Sequence, residues 1–143
     1  MKKKNIFTNI GSNGNIVCLP SPSRPSFREA FSRAAKQTEL NCCDEALKDQ
    51  MRELCYIIAE VYIIHPDSQI AIANELLDAY LVQEIFGELG FLHLQMVMQN
   101  FNAKTELVRN KRAYLRTALY NSVFEFEAHY KNLVAHDLAG GAP

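Results

Sequence analysis

Between Glu53 and Ala103 the chain has no lysine or arginine. Nowhere does an apolar run approach the ~18 residues that a membrane-spanning helix needs, so none is expected. There is no CxxC pair, no HxxxH or HxxE, no GxSxG, no P-loop and no dinucleotide fingerprint. Those absences remove the usual local signatures of metal binding, acyl transfer and phosphate or dinucleotide binding. Neither an enzyme nor a metal or cofactor site is expected. The four cysteines are Cys18, Cys42, Cys43 and Cys55, and the adjacent Cys42 and Cys43 are poor partners for each other. Lys2 to Lys4 could open a leader, but "NIFTNIGSNGN" behind them is too polar for its apolar stretch. Reduced thiols in a soluble, cytoplasmic protein are the expectation.

What the chain does have is the size and composition of one ordinary domain, with 143 residues, 48% hydrophobic and 22% charged. Its net charge of −1 exerts no global pull on nucleic acid or membrane. The charges are nonetheless sorted. Seven Lys/Arg and one acid, Glu29, lie in residues 1–36. Seven acids (Glu53, Glu60, Asp67, Glu75, Asp78, Glu84, Glu88) lie in residues 53–103, and five bases with one acid in residues 104–116. Sorting of this kind suggests a local anionic contact rather than a charged whole.

The spacing predicts an all-α domain, a compact bundle of five to six helices over residues 26–138. Residues 1–25 are expected to be a flexible arm or a marginal hairpin around "SNGN" followed by the linker "PSPSRPS", and residues 139–143 a fraying tail. Ser26 with Glu29 forms a capping box that starts a helix over about 27–39. The next runs to about Ile64, with Leu47, Met51, Leu54, Ile58 and Val61 at helical spacing and Pro66 beyond its end. "SQIAIAN" suggests a short extended piece over 69–73. Helices are expected over 75–89 and 92–101, from the N-cap Asn110 to about 120, and over about 124–135.

"HPD" at His65 to Asp67 is the signature tripeptide of J-domain co-chaperones. Those domains carry a basic face on the preceding helix, whereas here no base follows Arg52. His65, His93, His129 and His136 are more simply surface or packing residues. The stretch "VRNKRAYLRTALYNS" carries more. At 100° per residue, Tyr114, Leu115, Ala118 and Leu119 form a buried stripe, while Arg112, Arg116 and Tyr120 share another arc. Arg109 leads into that arc and Lys111 flanks it. Arg109, Lys111, Arg112 and Arg116 are therefore the candidate phosphate contacts, with Tyr120 stacking on a base or sugar. The alternative is an ordinary solvated face.

From about Ile70 to Leu138 the sequence resembles the C-terminal domain of RepA-type replication initiators of Gram-positive plasmids and conjugative elements. The likeness is densest at "VRNKRAYLRTALYN" and "HYKNLVAHDL", with "SQIAIA" and "LHLQMVM" in the same order. Arg109, Asn110, Ala113, Tyr114, Leu115, Ala118, Leu119, Tyr120 and Asn121 fit the initiator pattern, and Arg112 stands where it has lysine. That domain is in turn similar to the helical C-terminal module of DnaD-type primosome proteins, whose tryptophan would fall on Ser122. With 143 residues, the initiators' N-terminal winged helix is not expected here. The resemblance implies a replication-associated, DNA-binding accessory module of a mobile element, binding single- or double-stranded DNA weakly and salt-sensitively. The alternative is a protein-protein module that docks or inhibits a host replication factor, with a replisome or primosome protein as partner. A homo-oligomer fits either, and no membrane contact is expected.

Overall fold

A computed structural model describes residues 24–140. The arm, hairpin and linker expected before Arg24 lie outside the described residues, as does the end of the tail. The order is α1 (Phe27–Gln37), a 3₁₀ turn (Leu40–Cys42), α2 (Glu45–Tyr62), β1 (Gln69–Ile72), β2 (Glu75–Asp78), α3 (Ala79–Phe86), α4 (Phe91–Asn102) and α5 (Lys111–Gly140). The domain is a helical bundle as expected, and α2 packs against each of the other four helices. Met51, Leu54, Cys55, Ile57, Ile58, Ala59, Val61 and Tyr62 of α2 are buried. Around them lie Ala30 and Ala34 of α1, Val82 and Phe86 of α3, Leu94 and Val97 of α4, and Leu115 and Leu119 of α5.

α1 starts where the capping box predicts. Glu29 N–H donates to Ser26 Oγ at 3.1 Å, and Ser26 N–H donates to Glu29 Oε1 at 2.8 Å. It ends at Gln37 because Thr38 turns inward, its buried hydroxyl donating to the Ala34 carbonyl at 2.8 Å, and Glu39 adopts a left-handed conformation. Two glutamines complete other helix ends. Gln83 Nε2 donates to the Val61 and Ile64 carbonyls at the end of α2, at 2.9 and 2.7 Å. Gln37 Nε2 donates to the Phe86 and Leu89 carbonyls at the end of α3, both at 2.9 Å. Val61 and Phe86 also accept the N–H groups of Ile64 and Leu89, at 3.3 and 3.1 Å, so each amide ties the last turn of a helix to the residues that follow it.

The short extended piece is half of a hairpin. β1 and β2 pair antiparallel, Ile70 opposite Leu77 and Ala71 opposite Leu76, with Ile70 and Ile72 facing the core. The spacing from Glu75 suggested helix, and the helix begins only at Ala79. The turn explains the miss: Ala73 and Asn74 both have positive φ, 52° and 67°, but "AN" lacks the glycine that usually marks such a two-residue turn. A second difference is larger. The two helices expected between Asn110 and Ala135 are one, α5. "NSVF" contains no proline or glycine, and buried Ser122 Oγ donates to the Leu119 carbonyl at 2.7 Å, so the hydroxyl is satisfied without breaking the helix. α5 also continues through Ala139 and Gly140, where a fraying tail was expected.

The "HPD" segment leads from α2 into the hairpin, not into another helix. Asp67 N–H donates to His65 Nδ1 at 3.1 Å, a local turn contact. Among the described residues no helix is long and apolar enough to cross a membrane. The cysteines described, Cys42, Cys43 and Cys55, are free thiols.

Two stability predictions follow from these contacts. An alanine in the left-handed region costs about 1–2 kcal/mol, more than glycine's entropic penalty. Ala73→Gly is therefore expected to raise unfolding stability by up to about 1 kcal/mol in urea titrations, and a loss of stability would contradict the turn geometry. At the start of α4, His93 Nδ1 accepts the Gly90 N–H at 3.0 Å, and its ring lies 4.7 Å from that of Phe126. Burial holds the His93 pKa below its ordinary value, against a smaller upward pull from Glu88. The unfolded chain therefore binds this proton more readily than the folded one. The stabilisation is present above about pH 6.5 and lost as pH falls through the lower folded pKa. Melts at pH 7.5 and 5.5 should differ less in His93→Gln than in the parent.

Candidate nucleic-acid interface

α5 opens as its sequence suggests, with Asn110 Oδ1 accepting the Ala113 N–H at 3.1 Å. Leu115 and Leu119 are buried, and Tyr114 and Ala118 pack beside them. The basic residues behave differently from a free charged face. Lys111 Nζ lies 3.1 Å from Glu53 Oε1, and Arg112 forms a hydrogen-bonded ion pair with Glu60. Glu53 and Glu60 stand seven residues apart, two turns or about 10 Å along α2. Two acids of the middle block and two bases of α5 thus face each other across one helix pair.

The other candidates separate as well. Arg116 is half-buried, with its Nε enclosed and without a hydrogen-bond partner among the described residues. Tyr120 is half-buried, packed on the core with its ring 5.3 Å from that of Phe124. Arg109 is exposed in the loop before α5 and has no ion pair among the described residues. Of the four cations, Arg109 and Arg116 are in no ion pair among the described residues, and of those two only Arg109 is exposed. Because both ion pairs are partly exposed, each stabilises by only about 0.2–1 kcal/mol. Replacing Lys111 and Arg112 together by alanine should lower stability by about 1 kcal/mol at low salt. The loss should shrink at high salt, and an unchanged urea midpoint would show that the pairs do not hold in solution.

Unpaired positive charge gathers instead on α1. Arg28, Ser32 and Lys36 recur every four residues, one turn or about 6 Å apart, and Arg33 adjoins them within an arc of about 140°. Arg24 precedes the helix. None of these cations is in an ion pair among the described residues, and the one acid on the arc, Glu29, is bound into the capping box. The arc faces an open groove whose far side is the end of α3 at Gly87.

Arg33 is held in place there. Its guanidinium carbon lies 4.0 Å from the centre of the Tyr62 ring. Tyr62 in turn donates to Gln37 Oε1 at 2.6 Å, with the Phe86 carbonyl 3.1 Å away. Burial pushes the Tyr62 pKa up despite the nearby Arg33, so the hydroxyl remains a donor. A Cβ added at Gly87 would stand 3.2 Å from Arg33 Nη2 and 3.2 Å from the Glu84 carbonyl, so the glycine leaves room for the guanidinium. Sequence reasoning counted the bases of residues 1–36 without singling out this face. The signal was there: a capping box fixes the helix register, and Arg28, Ser32 and Lys36 follow at four-residue spacing.

Among the described residues no group of three or more His, Cys, Asp and Glu side chains is placed to hold a metal ion. A family model described as a family of unknown function, DUF6017, matches residues 26–141. No curated protein and no solved structure matches the chain.

Proposed function

The chain belongs to the DUF6017 family, whose function is unknown, and from that premise we propose that it is a replication-associated accessory module of a mobile element that contacts the DNA backbone along α1. One observation carries the choice of surface: the cations of α1 are unpaired, whereas Lys111 and Arg112 of α5 are engaged with α2. The replication setting rests on the resemblance carried by "VRNKRAYLRTALYN". Three or four phosphate contacts imply modest affinity. They also imply a log affinity that falls by about 0.7–0.9 per contact for each log unit of salt.

Anisotropy titrations of labelled DNA at several salt concentrations test the surface. Replacing Arg28, Arg33 and Lys36 by alanine should abolish most binding and flatten the salt slope by about 2–3. Replacing Arg109, Lys111 and Arg112 should have a smaller effect and leave the salt slope nearly as steep, since freeing Glu53 and Glu60 adds repulsion without removing a contact on α1. The opposite ranking would move the contact back to α5 and refute the choice of α1.

A second reading, docking of a replisome or primosome protein, has its own observation. Leu76, Tyr80 and Leu81 are exposed on β2 and α3, among Glu75, Asp78, Glu84 and Glu88 and far in sequence from any cation. That surface suits a partner carrying both apolar and basic groups. It becomes the better reading if the parent binds no DNA and a purified primosome protein binds it but not Tyr80→Ala/Leu81→Ala.

A further inference from the structure

We infer that α1 takes single-stranded nucleic acid, its bases on a ring shelf made by Phe27 and Tyr56 and its phosphates on Arg28 beside the shelf, the strand continuing round the helix to Lys36 and Arg33. The inference rests on the backbone-contact reading above and specifies its substrate. Around α1, Phe31 and Phe27 follow on the Arg28 side of the basic arc, opposite the Gly87 groove. Tyr56 of α2 meets them there. Its ring lies 5.8 Å from Phe27 at an interplanar angle of 15°, and 4.9 Å from Phe31. Phe27 and Phe31 are themselves stacked at 6.5 Å.

The shelf is not closed over. Phe27 remains 38% exposed and Tyr56 42%. A positively charged track leading to exposed aromatic rings, as this one does at Arg28, is how sequence-tolerant single-strand binders hold backbone and base together. Duplex DNA satisfies only half of this arrangement, because its bases are already stacked on one another. A phosphate track alone would bind either form.

The surroundings of Tyr56 remove an obvious objection. Glu53 and Glu60 lie three residues before it and four after, on the same side of α2. Free carboxylates there would repel a polyanion. Each is neutralised by a cation of α5, Glu53 by Lys111 and Glu60 by Arg112. The basic helix thereby serves the site without touching the ligand.

The test uses the full chain and fluorescein-labelled oligothymidylate of about 15 nucleotides, with a mixed-sequence duplex of equal length, at matched salt. Oligothymidylate should bind about tenfold more tightly than the duplex. Phe27→Leu and Tyr56→Leu should each weaken oligothymidylate binding by about tenfold or more, with duplex binding nearly unchanged. Both rings are partly exposed, and thermal melts identify any variant whose loss comes from unfolding. In that event Tyr56→Phe, which keeps the ring, should restore both stability and binding. Equal affinity for the two DNA forms would overturn the inference. So would leucine variants that bind oligothymidylate like the parent, or heparin binding as tightly as oligothymidylate. All three outcomes leave the backbone reading standing. No binding to either DNA form removes the reading and the inference together.

Discussion

The domain depends on the buried stripe of α2. A helix of eighteen residues that buries Met51, Leu54, Ile58 and Val61 on one side, and Cys55, Ile57 and Tyr62 beside them, gives every other helix something to pack against. Burying a side chain of this size is favourable by roughly 1.5–3 kcal/mol, several times the worth of an exposed ion pair. Packing therefore decides where α5 lies, and the Lys111–Glu53 and Arg112–Glu60 pairs only adjust it. The polar ties near the core do a related job. Gln37 and Gln83 donate to carbonyls at the ends of α3 and α2, and Tyr62 holds the Gln37 amide in place.

Once α5 is seated on α2, the charge pattern of the chain changes meaning. Block by block it is basic, acidic and basic, which invites the idea of three independent surfaces. In space the second and third blocks partly cancel, because Glu53 and Glu60 face Lys111 and Arg112. None of the described cations of the first block is in an ion pair among the described residues, so unpaired positive charge gathers on α1. Attraction of a polyanion depends on local unpaired charge more than on net charge, and a chain of net charge −1 can still present a basic surface.

Much of the architecture was legible in local sequence. The capping box at Ser26 and Glu29, the apolar spacing of α2 and the Asn110 cap each depend on neighbours within a turn or two, and the structure has all three. The hairpin was only half legible, since "SQIAIAN" alternates as a strand should while "ELLD" alone does not distinguish strand from helix. Its pairing was decided by Ile70 and Ile72 turning to the core, and by Thr117 accepting the Ala73 N–H at 3.1 Å from α5, forty-four residues away. The apparent break at Asn121 was likewise a local inference that burial of Ser122 and Val123 overrode.

By itself the sequence determined the helical class, the starts of α1, α2, α4 and α5, the stripe of α5 that is buried and the three-block sorting of charge. All of these follow from interactions within a few residues or from composition. Only the tertiary structure decided which charges are free. An ion pair between Glu60 and Arg112 joins residues fifty-two apart, and so does no work until hydrophobic packing brings α2 and α5 together. The same holds for the shelf of Phe27, Phe31 and Tyr56 beside the basic arc of α1. Its rings come from two helices whose juxtaposition is set by the core beneath them, and no spacing in the sequence announces it.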